Sequence, residues 1–254
     1  ILIENFNVSL NIFNSKTIDC LQELENIKLK KLSLIANFRD NYIYENKFLN
    51  SLTTLSELEI QFCKIGHILS KNESFFSKLV NLKVLQLKNI ENIDKIGDNL
   101  FDGLINLENL IFERNKIGKI EENSFKSLIK IDSLEFKQNE IKEIISGAFN
   151  GLNNLKKLII FANNDIKFGK KTIEGNLEIS QKVPDDLFKE LNSLELLDLS
   201  CNRIKEFDKN VFEKLYNLKT LNLYDNNLTT VYSEMIENLK SLTNLNLGCN
   251  KSLK

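Results

Sequence analysis

The stretch Leu194-Glu195-Leu196-Leu197-Asp198-Leu199-Ser200-Cys201-Asn202-Arg203-Ile204 decides the fold, because its wording returns at a constant interval. The same phrase reopens at Leu218 and Leu242, each 24 residues on, and an earlier trio in the same register opens at Leu107, Ile131 and Leu155. Most copies run on to a Phe and a Leu three apart, as in Phe125 and Leu128, Phe149 and Leu152, or Phe212 and Leu215. A unit of 20 to 29 residues that repeats in this way cannot bury its apolar side alone, and stacks on its neighbours as a solenoid.

Taking the first Leu of a unit as position 1, nine openings fall at Leu29, Leu55, Leu82, Leu107, Ile131, Leu155, Leu194, Leu218 and Leu242, behind a degenerate unit at 1–28. Positions 3 to 7 alternate, as in Lys157-Leu158-Ile159-Ile160-Phe161, which is the period of a short strand. Stacked copies place about ten such strands side by side, about 4.8 Å apart, in a parallel concave sheet roughly 45 Å wide. The chain is therefore read as one α/β solenoid domain over 1–254, a horseshoe whose convex side is irregular or short-helical. Position 9 is Asn in seven units: Asn37, Asn115, Asn139, Asn163, Asn202, Asn226 and Asn250. The turn after each strand leaves backbone N–H and C=O groups facing inward, and a buried amide side chain satisfies both kinds. Cys63 and Ile90 replace it in the less regular N-terminal third, where Cys63 is read as a small buried substitute.

One interval breaks the rhythm. Leu155 to Leu194 is 39 residues, 15 more than a repeat, and the excess lies at about 167–183. Inserts in solenoids map to loops on one face and often carry function. Pro184-Asp185-Asp186 beyond it reads as the start of a short convex-side helix, with Pro in the first turn and acids at its positive end. The chain opens partway through a unit and stops in one that has only begun, so both polar caps and any membrane segment are expected outside it.

Composition narrows the chemistry. Apolar content of 42% with 27% charged residues suits a folded chain rather than a disordered one. A net charge of −1 provides no global field toward nucleic acid or an anionic membrane, so neither is expected as a partner. A single histidine, His67, makes no multi-His metal site, and the glycines are scattered rather than gathered in a phosphate loop. No catalytic constellation, metal or cofactor is expected. Cys201 and Cys249 share position 8 two repeats apart, roughly 10 Å along a sheet, beyond disulfide reach. The sequons at Asn72 and Asn227 permit glycosylation, whereas Asn250 occupies a buried turn position.

The units resemble the "typical" class of leucine-rich repeats. The matching phrases are Asn99-Leu100-Phe101-Asp102-Gly103-Leu104, Gly147-Ala148-Phe149-Asn150-Gly151-Leu152 and Val183-Pro184-Asp185-Asp186-Leu187-Phe188. That class is found mostly in animal extracellular proteins: Toll-like receptor ectodomains, adhesion and guidance proteins, and matrix proteoglycans. The resemblance implies a non-catalytic recognition module, extracellular or at the cell surface, that binds a protein or glycoconjugate. It also admits a secreted matrix or adhesion protein, an intracellular adaptor, or the recognition segment of a larger enzyme.

A ligand is expected on the outward residues of the strands. Most are polar, as in Glu59, Gln86, Asp198 and Asn222. The exceptions are Ile159, Phe161, Leu196 and Tyr224, with Ile111 farther off, and exposed apolar clusters with aromatic members mark interfaces. The 167–183 insert leaves the same repeat, so it either accompanies this patch or covers it.

Overall fold

The computed structural model describes residues 7–11 (backbone only), 28–35, 49, 51–71, 74–172 and 174–253. Ten strands form one parallel sheet in chain order: Asn7–Asn11, Lys31–Ile35, Glu57–Gln61, Val84–Lys88, Asn109–Glu113, Ser133–Lys137, Lys157–Phe161, Leu196–Asp198, Thr220–Asn222 and Asn244–Asn246. The solenoid and its ten strands are those expected from the repeat. Register is kept from unit to unit, so Leu85, Leu110, Leu134, Leu158, Leu197 and Leu221 stand in one row. All six are buried, and the alternate residues of each strand face outward.

Behind the sheet two ladders hold the units together. Phenyl rings stack from Phe76 through Phe101, Phe125, Phe149 and Phe188 to Phe212, with centroids 5.6–6.4 Å apart and planes within 18°. These are the Phe positions of the repeat, and the column crosses the long unit without a break. The second ladder is built from Asn115, Asn139, Asn163, Asn202, Asn226 and Asn250, all buried. Asn163 shows its logic. Its Nδ2 donates to Phe136 O at 3.1 Å and Phe161 O at 2.9 Å, and its Oδ1 accepts from Asn139 N at 3.0 Å. Asn202 repeats this one unit on, with its Oδ1 accepting from Asn163 N at 2.9 Å. Each amide therefore ties its own turn to the preceding unit. Asn37 lies outside the described residues. Cys63 is buried at the equivalent place, its thiol donating to Gln61 O at 3.3 Å.

The turn that needs these amides has a fixed backbone. Phe62, Asn89, Arg114, Gln138, Ala162, Cys201, Asp225 and Cys249, one before the Asn position in successive units, all have φ between 51° and 59°. No glycine is used there, although side chains disfavour this left-handed region. A third, outer ladder escaped the sequence reading. Asn106 Nδ2 donates to Val80 O at 2.8 Å, Asn154 Nδ2 to Ile129 O at 2.9 Å and Asn217 Nδ2 to Asn192 O at 2.8 Å. Its signal is the Asn-Leu pair that opens these units.

Beyond the turn, Ile93–Ile96, Ile117–Ile120, Glu143–Ile145 and Lys167–Lys171 form a second parallel sheet. The insert grows from it as a hairpin. Leu177–Ser180 returns antiparallel to Lys167–Lys171, and Lys182–Val183 then pairs with Glu206–Phe207 of the next unit. Ion pairs from Lys170 to Asp185 (2.7 Å) in its own unit, from Lys182 to Asp208 (2.5 Å) of the next unit and from Lys171 to Glu122 two units back hold it in place. The helix expected at Pro184 is absent. Residues 185–190 are turns instead, closed by bonds from the Leu187 N–H to Pro184 O at 3.3 Å and from the Lys189 N–H to Asp186 O at 3.5 Å. Asp185 serves the hairpin, its carboxylate held below the usual range by the hydrogen bond from Lys170.

Two substitutions separate inner from outer ladder. Asn163→Ala removes the amide's bonds to Phe136 O, Phe161 O and Asn139 N in a buried turn, where Phe161 O keeps only the Gln138 N–H, and is expected to cost about 2–4 kcal/mol. Asn154→Ala, whose amide is exposed, should cost less than about 1 kcal/mol. Urea midpoints of the two variants measure the difference. Phe149→Ala interrupts the ring column and should cost about 3–5 kcal/mol by the same assay.

Candidate functional site

The outward face of the ten-stranded sheet is the surface left open by both ladders. Its middle row runs Gln86, Ile111, Glu135, Ile159, Asp198, Asn222 and Asn246, each opposite the next. Glu135 sits between the two isoleucines and is only 6% exposed. It is not left as a bare buried charge. Lys157 Nζ lies 2.6 Å from Oε1, Lys137 Nζ pairs with Oε2, and the Ser133 hydroxyl donates to Oε1 at 3.1 Å. Burial pushes the Glu135 pKa up, but the two lysines outweigh it and hold the carboxyl below the usual range. A smaller version lies at Glu59, which accepts from Lys88 at 2.6 Å and Ser33 at 2.9 Å.

This cluster rearranges the apolar patch read from sequence. Ile159, Phe161 and Leu196 are half-buried on adjacent strands, with Leu196 opposite Lys157. Ile111 is half-buried too, but Glu135 and its lysines stand between it and Ile159. Tyr224 is 40% exposed and lies two strands from Phe161, with the buried Ser200 intervening. The structure therefore groups three of the five and sets Ile111 and Tyr224 apart. The insert does not lie over them. Its side-chain partners Glu122, Asp165, Asp185 and Asp208 are all off the main sheet.

Glu135, Lys137 and Lys157 were missed because each looks like ordinary strand-surface charge. The usable signal was a Glu at position 5, a Lys at position 7 and a Lys at position 3 of the next unit. Elsewhere, His67 is exposed in the short helix Gly66–Leu69, its Nδ1 3.2 Å from Asp94 Oδ2. Asn227 is exposed as a glycosylation position requires, and Asn72 lies outside the described residues. Cys201 and Cys249 form no disulfide. Among the described residues no helix is long and apolar enough to cross a membrane, and no three His, Cys, Asp or Glu side chains gather as a metal site.

Because the folded Glu135 pKa lies below its unfolded value, its ion pairs add stability above the unfolded pKa and lose it as pH falls through the folded one. Glu135→Gln is expected to be about 1–2 kcal/mol less stable at pH 7 and to lose less stability than the wild type on acidification to pH 3. Urea unfolding across that pH range measures both.

Comparison with known proteins fits this architecture. A leucine rich repeat model matches residues 192–251, and a model of the BspA type leucine rich repeat region (6 copies) matches residues 70–182. No curated protein matches the chain in sequence. Among solved structures, the chain superposes on the Drosophila Toll–Spatzle complex with a TM-score of 0.62 at 17% identity, over 93% of this chain and 29% of that one. The TLR13–ssRNA13 complex gives a TM-score of 0.57 at 21% identity over 98% of this chain and 39% of that one. A leucine-rich repeat protein of Leptospira interrogans gives 0.58 at 21% identity over 98% and 63%. The chain spans less than two thirds of each, and at these identities the likeness is one of fold. One of these structures of the same fold is a complex with RNA, so the expectation that nucleic acid is no partner is not supported. The repeat wording, the turn amides, the strand-per-unit sheet and both model matches place this chain in the leucine-rich repeat family.

Proposed function

We propose that the chain is a non-catalytic recognition module that binds a protein partner on the outward face of its sheet, within the ectodomain of a cell-surface receptor. The observation that carries this reading is the half-buried trio Ile159, Phe161 and Leu196, uncovered by the insert and bordered by Lys137, Lys157 and Asp198. A small apolar centre with an aromatic anchor and a polar rim is the anatomy of a protein interface. The two Toll-type neighbours are complexes with different ligands, Spatzle and RNA. The lysines of this sheet are held in ion pairs, Lys31 with Glu57, Lys88 with Glu59, and Lys137 and Lys157 both with Glu135, which leaves a single positive charge in excess there. Binding to a phosphate backbone draws on unpaired cations, so the face favours protein over RNA. The extracellular setting is supported by the resemblance of the repeats to receptor and adhesion ectodomains.

The test displays the chain on beads, identifies what it retains from the medium of its own source cells, and titrates that protein. Phe161→Ala and Leu196→Ala should each weaken binding by more than about 1 kcal/mol, roughly fivefold, with unchanged urea midpoints. Loss of affinity only with Glu121→Ala, off the main sheet, overturns the site. Antibody against the chain should stain intact cells, and staining only after permeabilisation overturns the surface location.

A further inference from the structure

The insert ends the second sheet on an open strand edge. Leu177–Ser180 is the outermost strand, paired only with Lys167–Lys171, and all four of its residues are exposed. The exposure is internal to the array, since later units follow at Leu194, Leu218 and Leu242. The hydrogen-bond phase of the hairpin fixes which backbone groups look outward. The Thr172 N–H donates to Asn176 O at 2.8 Å, so bonded pairs alternate from there and include Lys170 with Glu178 and Phe168 with Ser180. Leu177 and Ile179 therefore turn their N–H and C=O groups away from the hairpin, and among the described residues nothing takes them. The next bond on that side is made at Gln181, whose carbonyl accepts from the Lys205 N–H at 3.3 Å.

The side chains on this edge are of two kinds. Leu177 and Ile179 share one face and are 40% and 43% exposed. Gly169 gives Leu177 its seat, because a Cβ there would come within 3.0 Å of Leu177 Cδ1 and 2.6 Å of Ile145 Cδ1. Glu178 lies on the other face, and Glu174 in the turn before it. The lysines beside them are engaged elsewhere, Lys170 with Asp185, Lys171 with Glu122 and Lys182 with Asp208. Lys167, at the other end of the hairpin, is opposite no residue of the strand. Glu174 and Glu178 are exposed and have no ion pair among the described residues, so the free charge along the edge is negative. Open edges ordinarily carry Lys or Pro, which discourage pairing, and Leu177–Ser180 has neither.

A row of unpaired backbone groups takes an extended chain. A second copy of this one fits poorly. The two-fold antiparallel register that engages both Leu177 and Ile179 of each copy is centred on Glu178 and sets that carboxylate against itself, and like charges directly opposite destabilise a strand pair. Registers centred on Leu177 or Ile179 instead call on Gly175, whose N–H already donates to Thr172 O, or on Gln181, whose carbonyl is already taken. We propose that Leu177–Ser180 is a docking edge for an extended segment of another protein in which apolar and basic residues alternate. Its backbone pairs with Leu177 and Ile179, its apolar side chains lie beside theirs, and its basic side chain meets Glu178 and Glu174. This edge lies off the main sheet, apart from Ile159, Phe161 and Leu196.

Fluorescence polarisation on the whole chain tests it with a short, labelled, end-blocked peptide of alternating valine and lysine. Saturable binding is expected. It should weaken about tenfold or more when the valine amides are N-methylated, which removes the donors that face Leu177 and Ile179 but keeps the side chains. Ile179→Pro deletes an outward N–H that the hairpin does not use, and should weaken binding to a similar degree with unchanged circular dichroism. Glu178→Lys should shift preference to a valine–glutamate peptide, and Phe161→Ala should leave binding intact. No saturable binding, equal binding of the N-methylated peptide, or indifference to both hairpin variants overturns the assignment. Loss with Phe161→Ala but not with Ile179→Pro moves the peptide to the main sheet and overturns it as well. So does sedimentation of the chain as a dimer that Ile179→Pro dissociates.

Discussion

Every unit of this solenoid must turn sharply at the end of its strand, and the turn exposes backbone amides and carbonyls to the interior where no water reaches them. From Asn115 to Asn250 the buried Asn of the unit resolves that problem with donors and acceptors on one planar group. Its NH2 reaches carbonyls of its own turn and of the preceding unit, and its oxygen takes an N–H from that unit. The turn is thus completed only by stacking. Local backbone geometry and long-range assembly become one event, which is why the left-handed residue before the Asn tolerates Phe, Arg, Gln, Ala, Cys or Asp.

The Phe column does the same work in apolar terms. Ring-to-ring spacing of about 6 Å holds from Phe76 to Phe212, including the step from Phe149 to Phe188 across the longest unit. The insert is accepted because it leaves from the second sheet and returns through Lys182–Val183, which pairs with Glu206–Phe207 of the next unit in a separate two-stranded sheet. Loop length enters the closure free energy only logarithmically, so fifteen added residues need not disturb the stack.

With the interior committed to these ladders, the outward sheet face is where chemistry varies. Its first part is a mosaic of paired charges, its centre an apolar trio beside the buried Glu135, and its last part mostly amides and hydroxyls around Asp198, with one tyrosine. Adjacent strands bring residues from different units together, so the chemistry of the face changes within a few strands.

The repeat count, the strand positions, the inward Leu row, the Phe column and the role of Asn115 through Asn250 were legible in the amino-acid sequence. Each is a local pattern with a constant period, and a constant period has one way to stack. Other features follow no period. The ion pair of Glu135 with Lys157 joins residues 22 apart, and the bond from the Gly151 N–H to Glu190 spans 39. Whether Ile111 and Ile159 make one patch depended on the side chain between them, and whether the insert covered that patch depended on which sheet it joined. Only the packed structure decided these, because they are set by contacts between units rather than by the order of residues within one.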